Sequence, residues 1–533
     1  MEKRERAAYW LFVSIGLCLT LLFGKVWFSP AFVPNNFTGA NHIFDLLGFI
    51  VLSYIIWHQI FMELLSWMVA RTIKQPPHIE PAKGLKVAFV TTFVPASEPP
   101  EMLRATLPAM VAADYPHDTW LLDEGNDEEA RRICAELGVK HFTRKDIAKY
   151  NTGHTGLFAT KTKGGNHNAW YDAHGKKYDI VAQIDTDFLP RRDFLTKTLG
   201  YFRDSTVAFV GTPQVYGNGK KSWIAQGAAE QTFGFYGPIM QGLFGKEMTL
   251  LIGANHVVRV KALKDVHLYS AHLTEDLLTG MKLHSKKWRS VYIPETLAIG
   301  EGPSTWKAYF NQQMRWAFGC MDVYLRHSAK LLPTMRPNNA FRYFLLQQHY
   351  FSGIAMVLGI GLLTLYFFFG FAPTDMTLQA LALFYLPLVL WQSIIALWMQ
   401  RFNINPETET GLMLKGKLIS VAAWPIYFLA FIGVIRGKHL TFKVTPKGRK
   451  MKSKAETPLE LFTPHLILGS ITAIDVVAAF AYHHTAVIML FWALLNTGLM
   501  YGIAFNEQLI RGYKFATKPI YLRSFIRNIS LGA

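Results

Sequence analysis

The chain has 533 residues, 51% hydrophobic and 17% charged, which is too apolar for a wholly water-exposed protein and too rich in core-forming residues for disorder. Lys and Arg number 55 against 37 Asp and Glu, but much of that net charge of +18 flanks long apolar runs, the signature of a membrane protein's cytoplasmic side rather than of nucleic-acid binding. The three cysteines, Cys18, Cys134 and Cys320, are too scattered for a disulfide framework or a zinc site.

Residues 7–24 are apolar and follow Lys3, Arg4 and Arg6. They are long enough to cross a hydrocarbon layer of about 30 Å. A cleaved signal peptide is the alternative, against which stand the length of the run and the lack of a small-x-small site. A second run, residues 46–69, ends at Arg71 and Lys74, so the flanking cations place the N-terminus and the segment after Arg71 in the cytoplasm.

Residues 76–330 contain no run of membrane length and read as a soluble domain. Short β-branched and apolar runs predict strands at 86–91, 119–123 and 180–184, with helical spacing over 100–113. Alternating strands and helices imply an α/β sheet, whose ligands bind beyond the carboxyl ends of the strands. Acidic residues at those ends then share one crevice.

Three clusters carry chemistry. Asp185-Thr186-Asp187 ends the third strand, and two carboxylates at i, i+2 suit Mg²⁺ or Mn²⁺ held with a diphosphate, although such a triplet taken alone is more often a solvated turn. Thr274-Glu275-Asp276 opens a helix, where a carboxylate serves as a cap or, in a cleft with a sugar donor, as the base that accepts a hydroxyl proton. Gln312-Gln313-Met314-Arg315-Trp316 places Gln312, Arg315 and Trp316 on one helical face. Arg315 can bond a diphosphate and Trp316 can face a sugar, and an interfacial helix with a Trp anchor is the alternative.

Further apolar runs follow at 348–371, 378–399, 418–435, 466–482 and 486–505. If all five crossed, the basic residues between 436 and 454 would lie outside, against the positive-inside rule. The run 418–435, bounded by Lys415, Lys417 and Arg436 and containing Pro425, is therefore read as lying along the cytoplasmic interface. Polar or aromatic residues for a sugar path through the bundle are His349, Trp391, Gln392, Trp424 and Asn496, each also explicable by helix packing, and Asp475 is an unusual charge in an apolar run.

In this order, D-x-D, T-E-D and Q-x-x-R-W resemble the signatures of the processive family-2 glycosyltransferases, the group of cellulose, chitin and hyaluronan synthases. Leu122-Asp123-Glu124-Gly125 is similar to the family's Asp-Asp-Gly loop, with Glu124 in place of the second Asp. Lys163-Gly164-Gly165-Asn166 is similar to its Lys-Ala-Gly-Asn segment, and Thr212-Pro213-Gln214 to its Thr-Pro-Gln stretch. Phe442-Lys443-Val444-Thr445-Pro446-Lys447 resembles the F-x-V-T-x-K gating loop of cellulose synthases. The F-F-C-G stretch is absent, with Leu251-Ile252-Gly253-Ala254-Asn255-His256 in its apparent place, so the acceptor sugar stays open.

The resemblance implies an α/β GT-A (Rossmann-like) cytosolic domain, residues 76–330, inserted in an α-helical transmembrane bundle of about six spans plus interfacial helices. Residues 1–75 supply two spans and 331–533 four, with an interfacial helix at 411–437 and the gating loop at 438–454. It implies an inverting, processive transferase that builds a β-linked polysaccharide from a UDP-sugar, with UDP-glucose and a β-glucan favoured, and extrudes it through its own channel. The catalytic set is then Asp276 as base with Glu275 beside it, and Asp185 and Asp187 at a Mg²⁺ or Mn²⁺ ion. Asp123, Lys163, Gln312, Arg315, Trp316, Phe442, Thr445 and Lys447 bind substrate. The partners are the UDP-sugar donor, the growing polysaccharide and the lipid bilayer of a plasma or inner membrane, with accessory export proteins open and nucleic acid excluded. The catalytic domain and both termini are expected in the cytoplasm. The alternatives are a non-processive membrane enzyme adding one sugar to a lipid-linked or short acceptor, and a synthase of an N-acetylglucosamine-containing polymer.

Overall fold

The computed structural model of the protein describes residues 1–34, 41–95, 97–151, 153–438 and 459–506. Among the described residues ten strands form, in chain order: β1 (Val87–Phe93), β2 (Asp118–Asp123), β3 (Lys140–Phe142), β4 (Ile180–Asp185), β5 (Leu189–Pro190), β6 (Val207–Gly211), β7 (Val215–Tyr216), β8 (His256–Arg259), β9 (Arg289–Tyr292) and β10 (Ala298–Gly300). Seven of them make one sheet in the order β3-β2-β1-β4-β8-β6-β9. The β3-β2-β1-β4 half is parallel, and β8 runs antiparallel to β4 and β6. A small sheet, β5-β10-β7, sits apart. This is a GT-A-like mixed sheet.

The two-residue period of a strand sorts β1 between two cores. Val87, Phe89 and Phe93 pack into one apolar cluster with Leu107, Ile133 and Phe194, whereas Ala88 and Val90 pack into the other with Trp120, Trp170 and Tyr171. Both faces of the sheet are therefore covered, as a parallel sheet requires. The chain order reverses between β1 and β4, and such a switch point opens a crevice at the carboxyl ends of the strands. There Thr92 lies opposite Asp185.

Among the described residues, seven helices reach the length and composition of membrane spans, from Lys3–Trp27 to Val487–Ala504. Six correspond to the predicted crossings. The seventh, Leu414–Ile435, covers the run read from sequence as interfacial; 56% of its most apolar window is buried, against 17–44% for the other six. It is broken into Leu414–Ala422 and Trp424–Ile435, with Pro425 opening the second piece, a position where its missing N–H costs nothing. Ile419, Ile426, Tyr427 and Val434 pack against Ile224 of the Trp223–Gly234 helix and against Tyr309, Met314 and Phe318 of the Trp306–Arg326 helix. The helix expected over 100–113 starts as a tight turn, Pro100–Met102, and continues as Leu103–Val111.

The second apolar helix, Asn41–Ala70, is joined directly to the domain. Its Leu65 and Val69 enter the core under the sheet. Beyond it, Thr72 Oγ1 donates to the Gly242 carbonyl at 2.7 Å, and Arg342 donates to the same carbonyl and to Thr72 Oγ1, each at 2.9 Å. Gly242 and Gly245 let these backbones touch, since a Cβ on either would collide with the carbonyl of Val69 or Thr72.

Candidate active site

A cavity of about 1530 Å³ opens beyond the carboxyl ends of β1 and β4. Lys163, Asp185, Asp187, Glu275, Asp276, Gln312, Arg315 and Trp316 all line it, so the three acidic and basic clusters meet in one space. The cavity extends to Gln59, Glu63 and Ser66 of the Asn41–Ala70 helix and to His349 and Tyr350. Of the residues proposed from sequence for a path through the bundle, His349 alone lines this space among the described residues. Trp391 Nε1 donates instead to the Phe12 carbonyl at 2.8 Å, Asn496 to the Trp492 carbonyl at 2.8 Å, and Asp475 accepts from Thr364 at 3.0 Å.

Asp185 is the last residue of β4, and its Oδ1 accepts from Lys163 Nζ at 2.5 Å. Lys163 opens the Lys163–Ala173 helix, whose first turn is capped by Thr162 accepting from Gly165 N–H at 3.0 Å. The ammonium also donates to the Gly253 carbonyl. Burial works to lower the Lys163 pKa, but the carboxylates of Asp185, Glu275 and Asp276 outweigh it and hold the amine charged. Asp187 accepts from Glu301 N–H at 3.3 Å, and Thr186 between the two carboxylates is pinned by Thr92 and Thr106. The pair offers hard oxygen donors toward the cavity, a set that fits Mg²⁺ or Mn²⁺.

Glu275 and Asp276 form the first turn of the Glu275–Ser285 helix, where backbone N–H groups favour negative charge. Asp276 Oδ1 accepts from Leu277 N–H at 2.8 Å, and a Cβ at Gly253 would lie 3.2 Å from Asp276 Oδ2. Gly253 thus sits with its carbonyl toward Lys163 and its bare α-carbon against Asp276. Burial raises the pKa of both carboxyls. Glu275, which also feels the Asp276 charge, is pushed up to about 8, and the raised Asp276 is partly offset by Leu277 N–H and Lys163.

On the Trp306–Arg326 helix, Gln312, Arg315 and Trp316 share the cavity face as their spacing predicts. Gln313 also borders the cavity and accepts from Tyr427 Oη at 2.9 Å. Burial pulls the Arg315 pKa down from its ordinary value, opposed by Asp185 and Glu275.

Asp123 is placed differently from its neighbours. It ends β2 fully buried and outside the cavity lining, and accepts from Gly125 N–H at 2.8 Å, Asp127 N–H at 2.6 Å and His141 Nε2 at 3.1 Å. Its carboxylate shapes the loop, and Glu124 is the residue of that loop on the cavity wall. Phe442, Thr445 and Lys447 lie outside the described residues.

Two features escape sequence reading. Arg144, 1% exposed, pairs with Glu124 through Nη2 at 2.6 Å and Nε at 3.0 Å, and donates to the carbonyls of Phe158 and Ala159, closing the loop that leads to Lys163. Behind Gly253, Gln183 Nε2 donates to its carbonyl at 3.0 Å, and Tyr269 Oη joins Gln183 to His256 Nε2. No local pattern marks either set, because the partners are 13 to 86 positions apart in the chain.

Residues 180–399 match the family model of glycosyl transferase family group 2. The chain is 25% identical over 323 residues to the UDP-forming cellulose synthase catalytic subunit of Xanthomonas axonopodis pv. citri, covering 59% of this chain and 42% of that protein. It is 24% identical over 454 residues to the corresponding subunit of Pseudomonas fluorescens, covering 81% and 57%. The chain therefore spans about half the length of these relatives. A mannosyltransferase from Pyrobaculum calidifontis, solved in complex with GDP-Man and Mn²⁺, aligns with 74% of this chain and 100% of its own at 14% identity and a TM-score of 0.47. The matched segment holds the D-x-D, T-E-D and Q-x-x-R-W residues that meet in the cavity, and the chain carries a glycosyltransferase domain of family group 2, cellulose synthase-like in its sequence relatives.

Proposed function

We propose that the protein is a processive, inverting glycosyltransferase that extends a β-linked polysaccharide from a UDP-sugar, with UDP-glucose as donor, and passes the product into its own helix bundle. The observation that carries this reading is the single cavity in which Asp185, Asp187, Asp276, Arg315 and Trp316 meet, and which continues to the polar residues Gln59, Glu63 and Ser66 of an apolar helix. Space for a donor thus adjoins the helix bundle.

Asp185 and Asp187 would hold a divalent cation, whose chemistry is to neutralise the leaving diphosphate. Lys163 and Arg315 add positive charge to the same phosphates, and Gln312 donates to them. Glu124, on the cavity wall, borders the nucleoside end. Asp276 accepts the proton of the attacking hydroxyl, with its raised pKa making it a stronger base than an exposed carboxylate. Burial and the neighbouring Asp276 charge push Glu275 up to about 8, while Leu277 N–H and Lys163 oppose the rise at Asp276 and favour its ionised form. Trp316 offers an apolar face to the terminal sugar. Phe442, Thr445 and Lys447 would cover the donor and keep water from it. In the membrane, we place the catalytic domain and both termini on the cytoplasmic side, with six crossings and the Leu414–Ile435 element at the interface, a reading supported by its burial against the domain.

Incubation of the purified protein with radiolabelled UDP-sugars and Mn²⁺, followed by sizing and linkage analysis, tests this. Long β-linked product from UDP-glucose is expected. A product one sugar longer than its acceptor would establish the non-processive alternative, and polymer from UDP-N-acetylglucosamine alone would change the sugar.

A further inference from the structure

His272 lies two residues before Thr274, in the loop feeding the helix that bears Glu275 and Asp276. Its Nδ1 accepts from Thr274 N–H at 3.1 Å, with Thr274 Oγ1 also at 3.1 Å. A ring nitrogen that accepts from an N–H carries no proton, so the proton of the neutral ring sits on Nε2. Nε2 donates to Asp322 Oδ2 at 2.9 Å. Asp322 Oδ1 in turn accepts from Arg326 Nε at 2.9 Å, and Arg326 Nη2 donates to the Val434 carbonyl at 3.1 Å. Asp322 and Arg326 belong to the same helix as Gln312, Arg315 and Trp316. One turn before Asp322, Gly319 meets the Thr274 side chain so closely that a Cβ there would collide with it.

Nitrogen and oxygen atoms of His272, Asp322 and His327 lie within 4.8 Å of one another, which by itself also suggests a cation site. The hydrogen bonds argue otherwise. Ligation through Nε2 would move the ring proton to Nδ1, where it would face the Thr274 N–H as a second donor, and Arg326 already places a cation on Asp322.

We propose that His272 is a positioning residue. Held in one tautomer by Asp322, it fixes the first turn of the Glu275–Ser285 helix to the Trp306–Arg326 helix, so that the base and the donor-binding face keep one spacing. The assignment rests on the function proposed above insofar as Asp276 is the base. Two contact points, His272 with Asp322 and Thr274 with Gly319, act on one helical face three residues apart, and misplacement of a catalytic group by about 1 Å costs up to about a hundredfold in rate.

Three full-length proteins test it: wild type, His272→Phe and His272→Gln. The amide nitrogen of glutamine stands near the Nε2 position and can donate to Asp322, whereas phenylalanine keeps only the bulk. His272→Phe should lower kcat by about tenfold to a hundredfold, with the donor KM and UDP affinity within about twofold of wild type, and His272→Gln should recover most of the loss. Hydrogen exchange over residues 273–280 should quicken in the His272→Phe protein and return toward wild type in the His272→Gln protein. Wild-type kcat in the His272→Phe protein overturns the role, as does an equal loss of kcat and UDP binding, or a loss that His272→Gln does not relieve. Unchanged exchange in all three also overturns it, independently of the reaction. A wild-type protein that turns over no UDP-sugar while exchange follows the expected order refutes the proposed function and leaves the positioning intact.

Discussion

At the residue scale, the site is a balance of buried charges. Lys163 touches Asp185 directly and sits within the field of Glu275 and Asp276, so removing one member leaves the others without counter-charge. Asp276→Asn is expected to lower transfer by about 10²- to 10⁴-fold while UDP still binds, the range spanned by loss of a general base. Asp187→Asn should weaken Mn²⁺-dependent UDP binding, measured by titration with and without the ion. The pH profile has a fixed sign. Asp276 must be ionised to accept a proton, and burial raises its pKa, so kcat/KM should fall as pH drops through a limb lying above the ordinary carboxylate value of about 4. A limb at or below that value would show that the catalytic carboxylate is not buried in this way. Arg144→Met would strand Glu124 and the Phe158 and Ala159 carbonyls, at a cost of about 3 kcal/mol in stability together with a higher donor KM. Thermal unfolding and donor saturation measure the two effects.

At the element scale, sequence legibility follows the length and period of each element. Runs such as 119–123 and 180–184 lie within a residue of β2 and β4 because they are continuous, largely apolar and bounded by an Asp, at Asp123 and at Asp185. Lys140–Phe142 and His256–Arg259 carry too few residues for a period, and β8 is antiparallel in a sheet whose first half is parallel, a pairing set by neighbours far along the chain. The cavity residues were readable where the spacing is local, as with Gln312, Arg315 and Trp316. The resemblance places Asp123 among the substrate-binding residues, whereas in the structure its carboxylate accepts from the Gly125 and Asp127 N–H groups of a tight loop, which a sequence pattern does not encode. The junction of the Asn41–Ala70 helix with the domain depends on close backbone approach at Gly245. Gly245→Ala should lower stability by about 1–3 kcal/mol through overpacking against the Thr72 carbonyl, seen as a reduced Tm in detergent.

At the scale of the whole molecule, composition already separates a part rich in membrane-length apolar runs from a part without them, and the structure adds that one cavity is lined from both. The Leu414–Ile435 element contributes to that join, since its buried face packs on the helix carrying Arg315 and Trp316 while Lys417 and Ser420 reach the cavity wall. The polarity of the wall changes along the cavity. Lys163, Asp185, Glu275, Asp276 and Arg315 gather at one part of the wall, and Gln59, Glu63 and Ser66 line it where it meets the Asn41–Ala70 helix. The most direct test of synthesis coupled to passage uses the protein reconstituted in sealed vesicles with UDP-glucose supplied outside and the catalytic domain facing out. The labelled product should be long and resist externally added β-glucanase until detergent opens the vesicles. Product of one or a few sugars, or long product fully digested from outside, would contradict a chain made in this cavity and threaded through the bundle.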